Sequence, residues 1–171
     1  VFSELMLKVA DVPILGVIVG AVMTTVVQSS SASIAVLQNL AATAGPDGIS
    51  SLIGLVGAIP ILFGTNIGST TTALLASIGG TTSAKRTAFS HTIFNIVGTL
   101  IFIWFTPLIA DFVVMISPTG DELDVISRQI ANAHLSFNVA TTLLFLPFIG
   151  VLEKVVTKLI PEKVQEEDPM G

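Results

Sequence analysis

The chain has 171 residues, 51% of them hydrophobic and 11% charged, with a mean hydropathy of +0.88, which excludes an ordinary soluble domain and predicts an all-α integral membrane protein. The net charge of -5 names no partner, because the acidic excess sits in one loop (Asp121, Glu122, Asp124) and in the tail (Glu162, Glu166, Glu167, Asp168). Nothing resembles a nucleic-acid-binding surface, and the absence of Cys removes disulfides and thiolate metal sites.

The start, Val1-Phe2-Ser3-Glu4, has neither an initiator Met nor a basic segment followed by a cleavage site, as expected of a fragment or a processed chain. Residues 4–11 are mildly amphipathic and either lie at the membrane interface or begin the first helix. From Val12 to Val27 the run is apolar, with Pro13 suited to a first helical turn. Gly16, Gly20, Thr24 and Gln28 recur every four residues, a small-residue stripe that lets another helix approach closely.

Gln28-Ser29-Ser30-Ser31-Ala32-Ser33 then interrupts the oily run. Hydroxyls and an amide at that density are tolerated in hydrocarbon where the backbone unwinds around a cavity or ligand. The apolar stretch after it, Ile34 to Ala42, is too short to cross a core of roughly 30 Å, so residues 12–42 are predicted to form a re-entrant helical hairpin. Gly45-Pro46-Asp47-Gly48 is turn chemistry and closes this unit.

Residues 51–79 are long enough to span as one broken transmembrane helix, interrupted at Gly64-Thr65-Asn66-Ile67-Gly68-Ser69-Thr70-Thr71-Thr72 and loosened by Pro60. The plainer alternative is a glycine-kinked packing helix whose threonines bond back to their own carbonyls. A polar loop with Lys85 and Arg86 follows, and then two full transmembrane helices over 87–109 and 129–152. These are copies of each other: Ala88, His91, Phe94, Asn95, Thr99, Leu100, Phe102 and Phe105 match Ala131, His134, Phe137, Asn138, Thr142, Leu143, Phe145 and Phe148 at one constant offset. Helical spacing puts His91 and Asn95, and likewise His134 and Asn138, on one polar stripe that should face the bundle interior. The histidines are expected to be structural, bonding across the interface between the two copies, with a proton relay as the functional version.

Lys85 and Arg86 precede the two spans and Lys154, Lys158 and Lys163 follow them, so all five fall on one side; by the positive-inside tendency the charged tail, residues 153–171, is cytoplasmic. A hairpin over 12–42 then leaves the N-terminus outside.

The two polar interruptions suggest one shared site. Their inventory is hydroxyls and amides, with no Lys, Arg or carboxylate. Hydroxyl and carbonyl oxygens suit a hard cation such as sodium, while hydroxyl donors and free amides at a half-helix N-terminus suit an oxyanion. A multiply charged anion in a neutral site near mid-membrane needs mobile cations to enter with it, so the two ligands are expected to bind cooperatively.

Q-S-S-S at Gln28 to Ser31, G-T-N-I-G at Gly64 to Gly68 with Ser69 to Thr72, and the two A-x-x-H-x-x-F-N blocks together resemble the type II sodium-phosphate cotransporters, in their bacterial branch, over roughly residues 15–161. The resemblance implies two inverted repeats, each with its own QSSS hairpin and broken helix, and sodium-driven phosphate uptake across the cell (inner) membrane. It implies that Gln28, Ser29, Ser30, Ser31, Asn66, Ser69 and Thr70 contact phosphate. By the same carry-over Gln28, Ser31, Ser33, Thr65, Asn66, Thr70 and Thr72 hold sodium, the coupling ion, with no cofactor. One QSSS is present where the family has two, so the chain looks like the second, C-terminal half, completed by a second copy or by an N-terminal half. The alternatives are a sodium-coupled carrier of another oxyanion or small carboxylate, and a non-transporting, anion-sensing membrane subunit. No G-x-S-x-G elbow or triad supports an enzyme.

Overall fold

One helix, α4 (Gly54–Ala76), is the hub of the structure, a computed structural model that describes residues 2–162. Every residue from Gly57 to Asn66 is buried, as befits a helix apolar around its whole circumference. Around it are packed α1 (Phe2–Asp11), α2 (Pro13–Val27), α3 (Ser30–Ala41), α5 (Thr82–Phe102), α6 (Thr106–Ile116) and α7 (Glu122–Phe145), with α8 (Ile149–Leu159) packed on α5. No strand is formed among the described residues; Ala44 and Ser51 make one isolated antiparallel bridge.

α1 turns through 115° into α2 at Val12, where the backbone is extended and Pro13 opens the next helix. It is therefore a separate cross-lying helix, with Met6 and Val9 in the core and Leu5 and Leu7 exposed. α2 and α3, of 15 and 12 residues, reach about 22 and 18 Å, each short of a bilayer core. They form a helical hairpin folded at Gln28 and Ser29, and the chain then returns through a turn in which Gly48 N–H donates to Gly45 O at 3.0 Å. Asp47 Oδ1 accepts from the amides of Ile49 and Ser50 at 3.0 and 2.9 Å, which holds its carboxyl down to about 2.

α4 does not unwind where the sequence suggested. Gly64 to Thr72 is continuous α-helix, and Pro60 sits in its interior without ending it. The reason is tertiary. α2 runs parallel to α4, backbone against backbone: a Cβ added at Gly20 would stand 2.0 Å from Ile61 O, one at Gly64 2.1 Å from Val17 O, and one at Gly68 2.5 Å from Ala21 O. The glycines that look like helix breakers are contact points, and Pro60 packs against Gly16 in the same seam. The hydroxyls of Thr65, Ser69 and Thr70 bond back to the carbonyls of Leu62, Asn66 and Ile67 at 2.7 Å each, so the polar run is satisfied inside a regular helix.

The two copied spans are longer than the apolar pattern alone indicates: 82–116 and 122–159 each run as two helices joined by a 3-10 turn, Ile103–Phe105 in one and Leu146–Phe148 in the other. The turns fall at equivalent positions, and α6 and α8 begin and end in the same register, so the repeat in sequence is a repeat in structure. Between the copies Phe94 meets Phe145 at 5.0 Å and Phe102 meets Phe137 at 5.8 Å. These contacts exchange equivalent positions, the signature of two antiparallel elements about a local two-fold axis. Arg86 Nε donates to Ile160 O at 3.0 Å, which brings the start of one copy to the end of the other. Residues 153–159, expected to be tail, are the last turns of α8; the tail from 163 to 171 lies outside the described residues.

Three helical stretches, Gly54–Ala76, Thr82–Ile116 and Glu122–Leu159, are long and apolar enough to cross a membrane, and their outer faces carry Trp104, Leu108, Leu135 and Leu143 exposed. The protein is a membrane protein.

Candidate functional site

The fold of the serine hairpin is made by one backbone feature. Gln28 takes φ 57° and ψ 23°, the left-handed conformation, and is the only described non-glycine residue with positive φ. It caps α2 by donating its N–H to Thr24 O at 2.7 Å. Ser29 is extended and starts α3, its Oγ accepting from Ala32 N–H at 3.3 Å and its carbonyl accepting from Ser33 N–H at 3.0 Å. The amides of Ser30 and Ser31 are then first-turn donors that the helix itself does not satisfy, at the positive end of its dipole.

This turn lies against the last third of α4, where the two polar motifs meet. Thr72 Oγ1 donates to Gln28 Oε1 at 2.9 Å, and Gln28 Nε2 donates to Thr25 O at 2.6 Å. Thr71 Oγ1 lies 3.5 Å from Thr25 Oγ1 and bonds back to Gly68 O. Because α2 and α4 run parallel, the turn reaches to within four residues of the end of α4. It stands near the Lys85 and Arg86 end of the bundle and not at the midpoint of α4.

The predicted residues divide into two groups. Gln28, Ser29, Ser30, Ser31 and Thr72 lie at the hairpin turn, with Gln28, Ser31 and Thr72 exposed there. Asn66 and Thr70 are buried and one turn apart, on the side of α4 away from Gly64 and Gly68 and hence from α2. Thr65 is fully buried beside the α2 seam, and Ser69 is partly buried. Ser33 begins a buried stripe, with Leu37 and Ala41, on α3, which packs against α4 and α7.

Asn66 is held by the second copied span. Its Oδ1 lies 3.1 Å from His134 Nε2. One turn along α7, Phe137 stacks at 4.5 Å on Phe63 of α4, and Asn138 Nδ2 donates to His134 O at 2.7 Å. His134 thus bonds to the central helix, not to the other copy as the sequence suggested. Its counterpart His91 is exposed, departing from the expected inward face, although Asn95 below it is buried and donates to His91 O at 3.0 Å.

Among the described residues, four buried side-chain atoms have no partner: Thr24 Oγ1, Ser33 Oγ, Asn66 Nδ2 and Thr99 Oγ1. Unmatched buried polar atoms are costly, and those beside the hairpin are places where a ligand oxygen, a cation or water is wanted. Thr24 was not among the residues placed in the site from sequence, whereas Thr71 belonged to the second polar interruption without a ligand role of its own. The signal for Thr24 was its place in the Gly16, Gly20, Gln28 stripe. No cluster of three or more His, Asp or Glu residues suited to a metal occurs among the described residues. A cavity of about 550 Å³ between α6 and α7, lined by Phe102, Phe112, Met115 and Phe137 with Asp111 at its side, is apolar and includes none of the predicted site residues in its lining.

Residues 1–162 match the Na+/Pi-cotransporter family. The chain is 33% identical over 101 residues to "Uncharacterized protein YqeW" of Bacillus subtilis (strain 168), covering 59% of this chain and 31% of that protein. It is 41% identical over 91 residues to "Sodium-dependent phosphate transport protein 2B" of Pongo abelii and of Homo sapiens, covering 51% of this chain and 12% of each. The chain therefore spans less than a third of the length of these relatives. No solved structure matches. With the family match extending from α1 to the end of α8, this chain belongs to the Na+/Pi-cotransporter family, a family of transporters and not of enzymes.

Proposed function

We propose that this chain provides one repeat of a sodium-coupled symporter of inorganic phosphate, with its site at the Gln28 to Ser31 turn and the adjoining face of α4. The observation that carries the reading is the Thr72 to Gln28 hydrogen bond, which joins the two motifs at a left-handed, non-glycine cap. Backbone strain of that kind persists where the surroundings hold it and is often found at ligand sites.

The chemistry follows from charge. No residue of α2, α3 or α4 is formally charged, so a phosphate there meets only hydroxyls, amides and the dipole of α3. The Ser30 and Ser31 amides and hydroxyls donate to the anion, while Gln28, Ser33, Thr65, Thr70 and Thr72 supply oxygens to sodium. Asn66 and Ser69 complete the phosphate shell. Each ligand offsets the charge of the other, so phosphate and sodium bind together. Gln28 and Ser31 are exposed on the side where a second copy or an N-terminal half would complete the site. Residues 12–42 enter the membrane and return on the same side. Lys85, Arg86, Lys154 and Lys158 mark the cytoplasmic face of the cell (inner) membrane, with the tail beyond them.

The test is uptake of radiolabelled inorganic phosphate by proteoliposomes containing the full-length protein. Accumulation is expected only with an inward sodium gradient. Saturable binding without accumulation would identify a sensor instead, and stronger competition by sulfate or a small dicarboxylate than by unlabelled phosphate would reassign the substrate.

A further inference from the structure

We propose that His134 is a positioning residue for the transported anion, acting through Asn66. The inference rests on the transport reading above and goes beyond it, since among the described residues His134 has no hydrogen bond to the serine turn.

A carboxamide has an accepting end and a donating end, and its use in a site depends on which one is tied down. In Asn66 the accepting end is tied: Oδ1 lies 3.1 Å from His134 Nε2, which donates to it in the Nε2–H tautomer. The donating end, Nδ2, is buried and without a partner. An NH2 group aimed at an interior with nothing to receive it is a donor reserved for an acceptor, and the acceptor offered by this function is a phosphate oxygen. The Nε2–H tautomer enforces this arrangement. Were Nε2 the acceptor, the amide would turn and present its oxygen, which repels an anion.

The stretch of α7 that carries the imidazole is held by its neighbours. The backbone carbonyl of His134 accepts from Asn138 Nδ2 at 2.7 Å, and Phe137 packs the next turn of α7 onto Phe63 of α4. The equivalent histidine of the first copy separates this arrangement from a general packing role. His91 sits at the same repeat position with the same following asparagine, yet it is exposed and its ring makes no hydrogen bond among the described residues. Of the two histidines, His134 is the one hydrogen-bonded to α4.

The experiment is a double-mutant cycle on sodium-driven uptake of radiolabelled phosphate by the full-length protein in proteoliposomes, with half-saturation and maximal rate measured separately. Wild-type uptake is established first; if it is absent, the transport reading falls and the inference falls with it. Given uptake, His134→Leu is expected to raise the half-saturating phosphate concentration about tenfold or more, the effect of a lost hydrogen bond to a charged group. The maximal rate per folded transporter should change less than about twofold. Asn66→Ala should do the same, and the double variant should be no worse than the poorer single one. His134→Gln, whose amide nitrogen reaches the place of Nε2, should restore most of the affinity. The assignment is overturned if the two effects multiply, if His134→Leu lowers only the amount of folded protein, or if Gln rescues no better than Leu.

Discussion

Gly98 of α5 and Thr141 of α7 occupy the same position in the two copies and face each other: a Cβ on Gly98 would stand 2.7 Å from Thr141 Cγ2 and 3.3 Å from the Phe137 ring. They lie midway between the reciprocal pairs Phe94 with Phe145 and Phe102 with Phe137. The local two-fold axis therefore passes beside a residue that is glycine in one copy and threonine in the other. Two identical β-branched side chains would collide there.

Gly98→Ala should consequently destabilise the pair of spans by about 1–3 kcal/mol, the usual cost of overpacking. Thermal unfolding in detergent measures it. Adding Thr141→Ala should recover most of the loss, whereas Leu100→Ala, on an exposed side chain of the same helix, should recover none.

Backbone contact between α2 and α4 gives a stronger effect. Gly20→Ala places a methyl group 2.0 Å from Ile61 O, and neither backbone has a flexible end to move aside. The folded fraction should fall sharply, with loss of several kcal/mol in the manner of severe core strain. Gly150→Ala, where nothing lies near the added atom, is the matched control and should be silent in size-exclusion and melting assays.

Thr72→Val keeps the shape of the side chain and deletes the donor to Gln28. Half-saturation by phosphate should rise about fivefold, corresponding to about 1 kcal/mol for one hydrogen bond at a partly hydrated place. Thr72→Ser should remain near wild type. Unchanged transport kinetics in the valine variant would remove the Gln28 to Thr72 contact from the site.

Asp47 gives a pH signature away from the membrane. Its carboxyl is held at about 2 by the amides of Ile49 and Ser50, below the ordinary value of 3.8. A depressed carboxyl contributes order that is complete above the ordinary value and is lost as pH falls toward 2. Amide exchange at Ile49 and Ser50 should therefore stay protected at pH 5 and quicken below about pH 3. Asp47→Asn should leave these amides faster at pH 5 and remove the acid transition.

Much of this was legible in the residues. The Gln28 to Ser33 run marks the fold of a helical hairpin because Ser29 is a good N-cap and four hydroxyls do not sit on a lipid-facing helix. Gly45 to Gly48 specifies its turn through Pro46, Asp47 and a glycine at positive φ. The duplicated spans are visible from identities at one offset, and their shared 3-10 turns follow from them. The uninterrupted course of α4 was hidden, because Pro60, Gly64 and Gly68 have the same composition whether a helix unwinds or another backbone lies against it. Only the position of α2 distinguishes the two. The His134 to Asn66 bond was hidden for a related reason: periodicity gives the face of α7 but not which neighbour that face meets, and the equivalent His91 is exposed.

The contact of Gly20 with Ile61 and of Gly64 with Val17 also constrains how the molecule can work. Two rods touching main chain to main chain in parallel register cannot slide or roll without one running into the other, so the serine turn and Thr72 travel as a single block. Any change of access from one face of the membrane to the other has to be sought at that block's outer boundary, in how it rocks against the paired spans, and not in an opening of the hairpin itself.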